Sequence, residues 1–368
     1  MMSALLERFH EWRDRRSALK DLRRQISIDA PYEGMEIGKI IGRIKFAAYR
    51  DHQPDGLAAW HDLRTRAPDL AITSTNVLRS LLDLRQFDLV EQSLEEAMRK
   101  YPGQAELAHL YAELAQRQGQ WDKAAERWAY LRQHHPGLGG SYSFGSIALM
   151  QLERYDEADR MLEARTKAMP DDIVAGTAYA RVAEAKGDFE EAILRWRRMQ
   201  ETIFNVDGWI GEAKVLSQLG RVDEAMEVLK AAAWKFATSP LPHVERAWII
   251  QKQGDLEASL REWAVVRERY PHAGVAYTAA AWLLRDNNRR DEAEALLLRY
   301  VERQASDPEP TLEYARFAHG RDWPEACRRW ALVRDRYPER KEGYTWGADA
   351  LDANNQPEEA AAVRALTP

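Results

Sequence analysis

The 368-residue chain has a single cysteine, Cys327. That excludes an internal disulfide framework and any cysteine-rich zinc or iron–sulfur site. Apolar runs are short, and none approaches the roughly 18 residues that a membrane-crossing helix needs. The first residues, Met1-Met2-Ser3-Ala4-Leu5-Leu6-Glu7-Arg8, lack the apolar core of a secretion signal, so a cytoplasmic protein is expected. Charge of one sign is also scarce: 53 basic against 59 acidic residues leave a net charge of −6. A dominant basic field for nucleic acid is therefore absent. Glycine (20) and proline (15) are few enough for most of the chain to be regular structure. No phosphate-cradling glycine loop, paired-histidine metal motif or nucleophile elbow occurs. The expectation is a non-catalytic protein with no cofactor and no metal. His134-His135 stands before Pro136, where a helix-end role is expected. Cys327 is expected to be a small packing residue.

What the chain has is tryptophan, 13 residues, and a period. A turn residue, an aromatic or aliphatic residue, an acid and a small residue recur, as in Gly119-Gln120-Trp121-Asp122-Lys123-Ala124 and Gly187-Asp188-Phe189-Glu190-Glu191-Ala192. The closing residues are Gly56, Val90, Ala124, Ala158, Ala192, Ala225, Ser259, Ala293, Ala326 and Ala360, spaced 33 or 34 apart. Twelve positions before the marker comes a second small residue: Ala112, Ser146, Ala180, Ala213, Ala247, Ala281 and Ala348. A bulky residue follows the marker by four, one helical turn along the same face. Prolines close several repeats, at Pro68, Pro102, Pro136, Pro170, Pro271 and Pro338. Each repeat is then a helix, a tight turn and a second helix, with an apolar face that only a neighbour can cover.

These small pairs, bulky residues and closing prolines resemble the tetratricopeptide repeat family over about residues 36–368. The resemblance implies an all-α, right-handed α-solenoid of about ten helix-turn-helix repeats, and a scaffold for protein partners. It says little about which partner.

A longer period lies inside the first. The bulky position alternates: Trp60, Leu94, Trp128, Leu162, Trp196, Leu229, Trp263, Leu297, Trp330. Four Trp repeats carry Arg four residues on (Arg64, Arg132, Arg267, Arg334), and three carry Tyr fourteen on (Tyr142, Tyr277, Tyr344). The Trp196 repeat departs, with Gln200, Phe204 and an early Trp209. A repeated binding motif would give this pattern. So would duplication of a two-repeat block with Trp filling a wider gap, and packing is the favoured reading.

Residues 1–30 form a separate segment, expected to be an amphipathic helix. Leu5, Phe9, Trp12, Leu19, Leu22 and Ile26 lie on one side, and Arg8, Arg13, Arg15, Lys20 and Arg24 on the other. It is expected to cap the repeats, with partner binding through Phe9 and Trp12 or a weak membrane-surface contact as alternatives. Residues 1–50 carry a charge of +4 and the rest −10.

The residue after the early small one should face the groove lined by first helices. It reads Arg79, Glu113, Ile147, Arg181, Lys214, Trp248, Trp282, Arg316 and Asp349. The candidate binding set is Arg79, Arg181, Lys214, Trp248, Trp282 and Arg316, since Trp beside Arg is common at interaction hot spots. Packing of Trp248 and Trp282 against neighbouring helices is the competing expectation. The Lys/Asn pattern of co-chaperone repeats is missing, and of the groove Asn ladder of protein-modifying glycosyltransferases only Asn76 is present. The expected function is a scaffold that binds a protein segment. The Trp-alternating repeats resemble those of bacterial surface-polysaccharide or glycosyltransferase loci, which points to an enzyme of glycan synthesis as partner. Direct binding of a saccharide or nucleotide-sugar is the alternative. RNA binding is weaker, given the acidic body.

Overall fold

A computed structural model describes residues 36–49, 51–303 and 306–367. The segment 1–30, with Phe9 and Trp12, lies outside the described residues. The described residues are helical, with no strand among them. The chain divides into two compact bodies after Lys167, each a stack of helix pairs in which consecutive helices pack together.

In the first body, α1 (Glu36–Tyr49) pairs with α2 (Gln53–Arg66). A short α3 (Pro68–Thr73) precedes α4 (Thr75–Asp83) and α5 (Phe87–Lys100). Then come α6 (Ala105–Arg117) with α7 (Trp121–His134), and α8 (Gly140–Gln151) with α9 (Tyr155–Ala168). The second body holds α10 (Ile173–Lys186) and α11 (Phe189–Thr202), α12 (Asp207–Gln218) and α13 (Val222–Lys235), and α14 (Leu241–Lys252) and α15 (Leu256–Arg269). It ends with α16 (Val275–Asp286) and α17 (Arg290–Glu302), α18 (Glu309–Ala318) and α19 (Trp323–Arg336), and α20 (Lys341–Ala353) and α21 (Pro357–Ala365). The 34-residue register thus coincides with ten helix pairs, and the sequence period is a structural one.

Each turn inside a pair reverses the chain in the same way. A residue with positive φ stands five places before the marker, or six in the ninth repeat: Asp51, Arg85, Gly119, Glu153, Gly187, Gly220, Gly254, Asn288, Gly320 and Asn355. In most of these turns the next residue donates its N–H to the carbonyl five places back. Gln120 bonds Ala115, Arg154 bonds Leu149 and Asp188 bonds Ala183, each at 2.9 Å. This closes the orphan carbonyls of the first helix. The second helix then starts at once, in several cases with an Asp cap: Asp188 accepts from the Glu191 N–H, Asp255 from Ala258 and Asp322 from Glu325.

The small residues lie where the two helices meet, and all are buried. Ala112, Ser146, Ala180, Ala213, Ala247, Ala281 and Ala348 have no exposed surface, and the markers Ala124, Ala158, Ala192, Ala225, Ala293, Ala326 and Ala360 have none either. The bulky positions are buried too, Trp and Leu alike. The tryptophans at this position are therefore packing residues, as favoured from the sequence. A buried indole needs an acceptor, and the first helix supplies one. Trp128 donates to Gln116 (3.2 Å), Trp196 to Glu184 (2.7 Å), Trp263 to Gln251 (2.9 Å) and Trp330 to His319 Nδ1 (3.1 Å).

The arginine one turn later fastens this helix to the next pair. Arg132 donates to the Ser141 carbonyl (2.9 Å), Arg267 to Ala276 (3.0 Å) and Arg334 to Gly343 (2.8 Å). A Cβ at Gly145 or Gly347 would strike the guanidinium of Arg132 or Arg334, so close approach explains both glycines. In the departing repeat Gln200 does the same work, donating to Gly208 (3.2 Å) and to Glu212 (2.6 Å). A second arginine, three after the marker, lies over a tyrosine of the preceding helix. Arg127 stands 3.3 Å from the Tyr111 ring centre, Arg195 3.7 Å from Tyr179 and Arg329 3.7 Å from Tyr314.

Non-glycine residues at positive φ cost about 1 kcal/mol each. Glu153→Gly and Arg85→Gly are expected to stabilise by up to that amount, and Asn288→Gly by less, since Asn tolerates this region. Thermal melts of the three variants check it; a fall in Tm for Glu153→Gly would contradict the turn assignment. Trp263→Ala is expected to cost about 3–5 kcal/mol through the cavity it opens, measurable by urea unfolding, whereas a loss near zero would mean the indole is not core.

Candidate functional site

The Trp and Arg of the repeating second-helix motif are used in packing, and the candidate recognition residues stand on first helices. All six candidate positions fall there. In the first body Arg79, on α4, is exposed and pairs with Glu113 of α6 at 3.3 Å. Glu113 also holds Arg117 (2.9 Å), which reaches Asp83 (2.9 Å). Arg79, Glu113 and Arg117 border a cleft of about 450 Å³ lined also by His109, Gln116, Trp121, Trp128 and Phe144. Phe144 is 39% exposed and stacks on buried Trp128 at 5.2 Å, while His109 meets the same indole edge-on at 4.9 Å. Sequence reading missed Phe144. Its signal is its place sixteen residues after a core Trp, which Trp346 repeats after Trp330.

In the second body Arg181 is exposed on α10, and Lys214 on α12 lies 3.5 Å from Glu245. Burial raises the Glu245 carboxyl above its ordinary value. Trp248 on α14 meets core Trp263 edge-on at 4.9 Å, yet 36% of it stays exposed. Packing and exposure thus both describe Trp248: one edge is held, one face is open. Trp282 on α16 is 39% exposed and borders a cleft with Arg316. Arg316 on α18 is paired with Glu313. Toward the end of this body His319 contacts Trp323 (5.0 Å) and Trp346 (4.9 Å) edge-on, and Trp346 is 41% exposed. His319 and Trp346 are further aromatic surface absent from the sequence-based set.

The other singled-out residues have structural places. His134 Nδ1 contacts the Tyr130 carbonyl at 2.8 Å at the end of α7, the helix-end role expected of it. Cys327 is half-buried beside Trp323, and burial pushes its thiol up. No group of three or more possible metal-ligating side chains gathers among the described residues.

Three histidines on first-helix segments are held below their usual pKa, chiefly by burial. His109 is also lowered by Arg79, and His243 by Arg269 and Arg246; Glu113 and Asp349 oppose the shift at His109 and His319. Both ring nitrogens of His243 are shielded and unbonded. Above about pH 6.5 these imidazoles are neutral in folded and unfolded chain alike. Below it the unfolded chain takes up protons that the folded one resists, so stability falls as pH drops below about 6.5 toward the lowered folded values. Melts at pH 7.5 and 5.5 are expected to show this loss, with a smaller loss in His243→Leu. Equal melting temperatures for the wild type at both pH values would contradict it.

No family model and no curated protein matches the sequence. Solved structures of similar backbone include a tetratricopeptide repeat protein from Parabacteroides merdae, with 14% identity, 67% of this chain and 98% of that one covered, and a TM-score of 0.44. MamA from Desulfovibrio magneticus covers 44% of this chain and 91% of its own at 15% identity, TM-score 0.32. A human IFIT1 dimer with PPP-AAAA covers 94% and 93% at 14% identity, TM-score 0.34. The repeat assignment rests on this chain's own register. Ten helix pairs at that period, with small residues buried where the helices meet and a bulky residue one turn on in nine of them, give the described residues the α-solenoid fold of helix-turn-helix repeats like tetratricopeptide repeats.

Proposed function

We propose that the protein is a non-catalytic scaffold that binds a segment of another protein along its first helices, with the strongest contacts in the second body. The observation that supports this reading is the exposure of Trp248 and Trp282 on first helices, with Arg316 beside Trp282. Exposed aromatic faces next to guanidinium groups are the composition of interaction hot spots. A tetratricopeptide-type array is a frame for such contacts, since it repeats a rigid first-helix surface at fixed spacing. Arg79, Arg181 and Lys214 extend the polar part of the surface in their own bodies.

An enzyme of glycan synthesis is the finer reading of the partner. It rests on the resemblance of the Trp, Arg and Pro pattern alone. Trp128, Trp196, Trp263 and Trp330 are core residues, so that pattern speaks for shared packing before shared partner. No helix among the described residues is long and apolar enough to cross a membrane. A cytoplasmic location, with the 1–30 segment as cap or second contact, completes the proposal.

The test uses the full chain, wild type and Trp248→Ala/Trp282→Ala, immobilised against cell extract, with the captured protein identified and then titrated in purified form. The double variant is expected to bind at least tenfold more weakly, about 1.4 kcal/mol, while its circular dichroism and Tm stay near wild type. Unchanged affinity overturns the assignment. A large drop in Tm would place both indoles in the core instead. Retention of a saccharide by the purified protein, lost in the same variant, would favour the alternative of direct glycan binding.

A further inference from the structure

The cleft beside Trp282 has a charge arrangement that its own residues do not neutralise. About 490 Å³ of space is bordered by Trp282, Arg285, Arg290, Glu313, Arg316 and Phe317. Arg316 is matched by Glu313, and Arg285 by Asp286 at 2.9 Å. Arg290 has no such match. It donates to the Phe317 carbonyl and lies 5.0 Å over the Phe317 ring. Its Nε is shielded from solvent and bonds nothing. Desolvation lowers its pKa, and Arg321 and Arg285 add repulsion that Glu294 only partly offsets. Three guanidinium groups against one carboxylate on the lining give the cleft a surplus of positive charge that an anion would improve.

We propose that this cleft receives the carboxylate of an acidic residue in the bound partner segment, with a neighbouring apolar or aromatic side chain of that segment against Trp282. The proposal rests on the reading of the protein as a segment-binding scaffold and names the chemistry of the segment. A protein segment carries its negative charge as carboxylate, and the lining, three arginines with one glutamate, has positive charge in excess to receive it. Guanidinium groups donate strong, charge-assisted hydrogen bonds to carboxylates.

The test measures binding of a fluorescein-labelled peptide of Glu, Phe and Leu, and of its counterpart with Gln for Glu, to the full chain. The Glu peptide is expected to bind at least tenfold tighter, and to weaken as salt shortens the screening length to about 10 Å at 0.1 M. Arg290→Gln is expected to remove most of that preference, and Arg290→Lys to keep part of it with an unchanged helical spectrum. Equal binding of the two peptides, no effect of Arg290→Gln, or tighter binding of inorganic pyrophosphate than of the Glu peptide overturns the proposal. If both peptides bind equally and both are lost in Trp248→Ala/Trp282→Ala, segment binding stands and the carboxylate assignment alone fails. If the double variant binds its captured partner like wild type, the scaffold reading fails and this inference with it.

Discussion

Two helices in a repeat can approach closely only where both present a small side chain, and the rest of the chain is arranged around that approach. The marker alanines and their earlier partners are fully buried on both helices. A larger side chain there would force the pair apart and misplace every residue above and below it. The turn with one left-handed residue, repeated ten times, gives the same reversal each time. The bulky residue one turn past the marker then meets the same kind of gap in the first nine repeats.

That gap is filled in two ways. Leucine needs nothing more than contact. Tryptophan brings more apolar area but also an N–H that must be satisfied. The first helix therefore carries an acceptor for it, Gln116, Glu184, Gln251 or His319. His319 shows how far one residue can be shared. Its Nδ1 accepts the Trp330 indole hydrogen while its ring edge meets exposed Trp346. Core and surface are thus joined through single side chains, as they are at Trp248 on Trp263 and Phe144 on Trp128. An exposed aromatic fixed by a buried one loses little freedom on binding, which favours it as an anchor.

The helix pairs were legible because a register of small residues is a one-dimensional signal, and burial follows it position by position. The break between α3 and α4 was not, because it depends on Ser74 capping a new helix through its side chain at Val77, a local choice that no period encodes. The six groove candidates were placed on first helices by counting from the small residue. Phe144, Trp346 and Arg290 were missed because each gains its setting from another repeat. Phe144 and Trp346 need the preceding core Trp, and Arg290 needs Phe317 from the following first helix. Counting along one repeat finds what faces outward. It does not find what two repeats build together.

The arginines that reach from a Trp-bearing helix to a carbonyl of the next pair have an effect on how the array opens. Packing is denser at the borders after Trp128, Trp196 and Trp330 than at the Leu borders before α6 and α14, whereas the border after Trp263 is no denser than the one after Leu297 although Arg267 bonds across it. In a linear array, stability is a sum of repeat terms and nearest-neighbour terms. Within each body, opening then starts at the looser joints, those before α6 and α14.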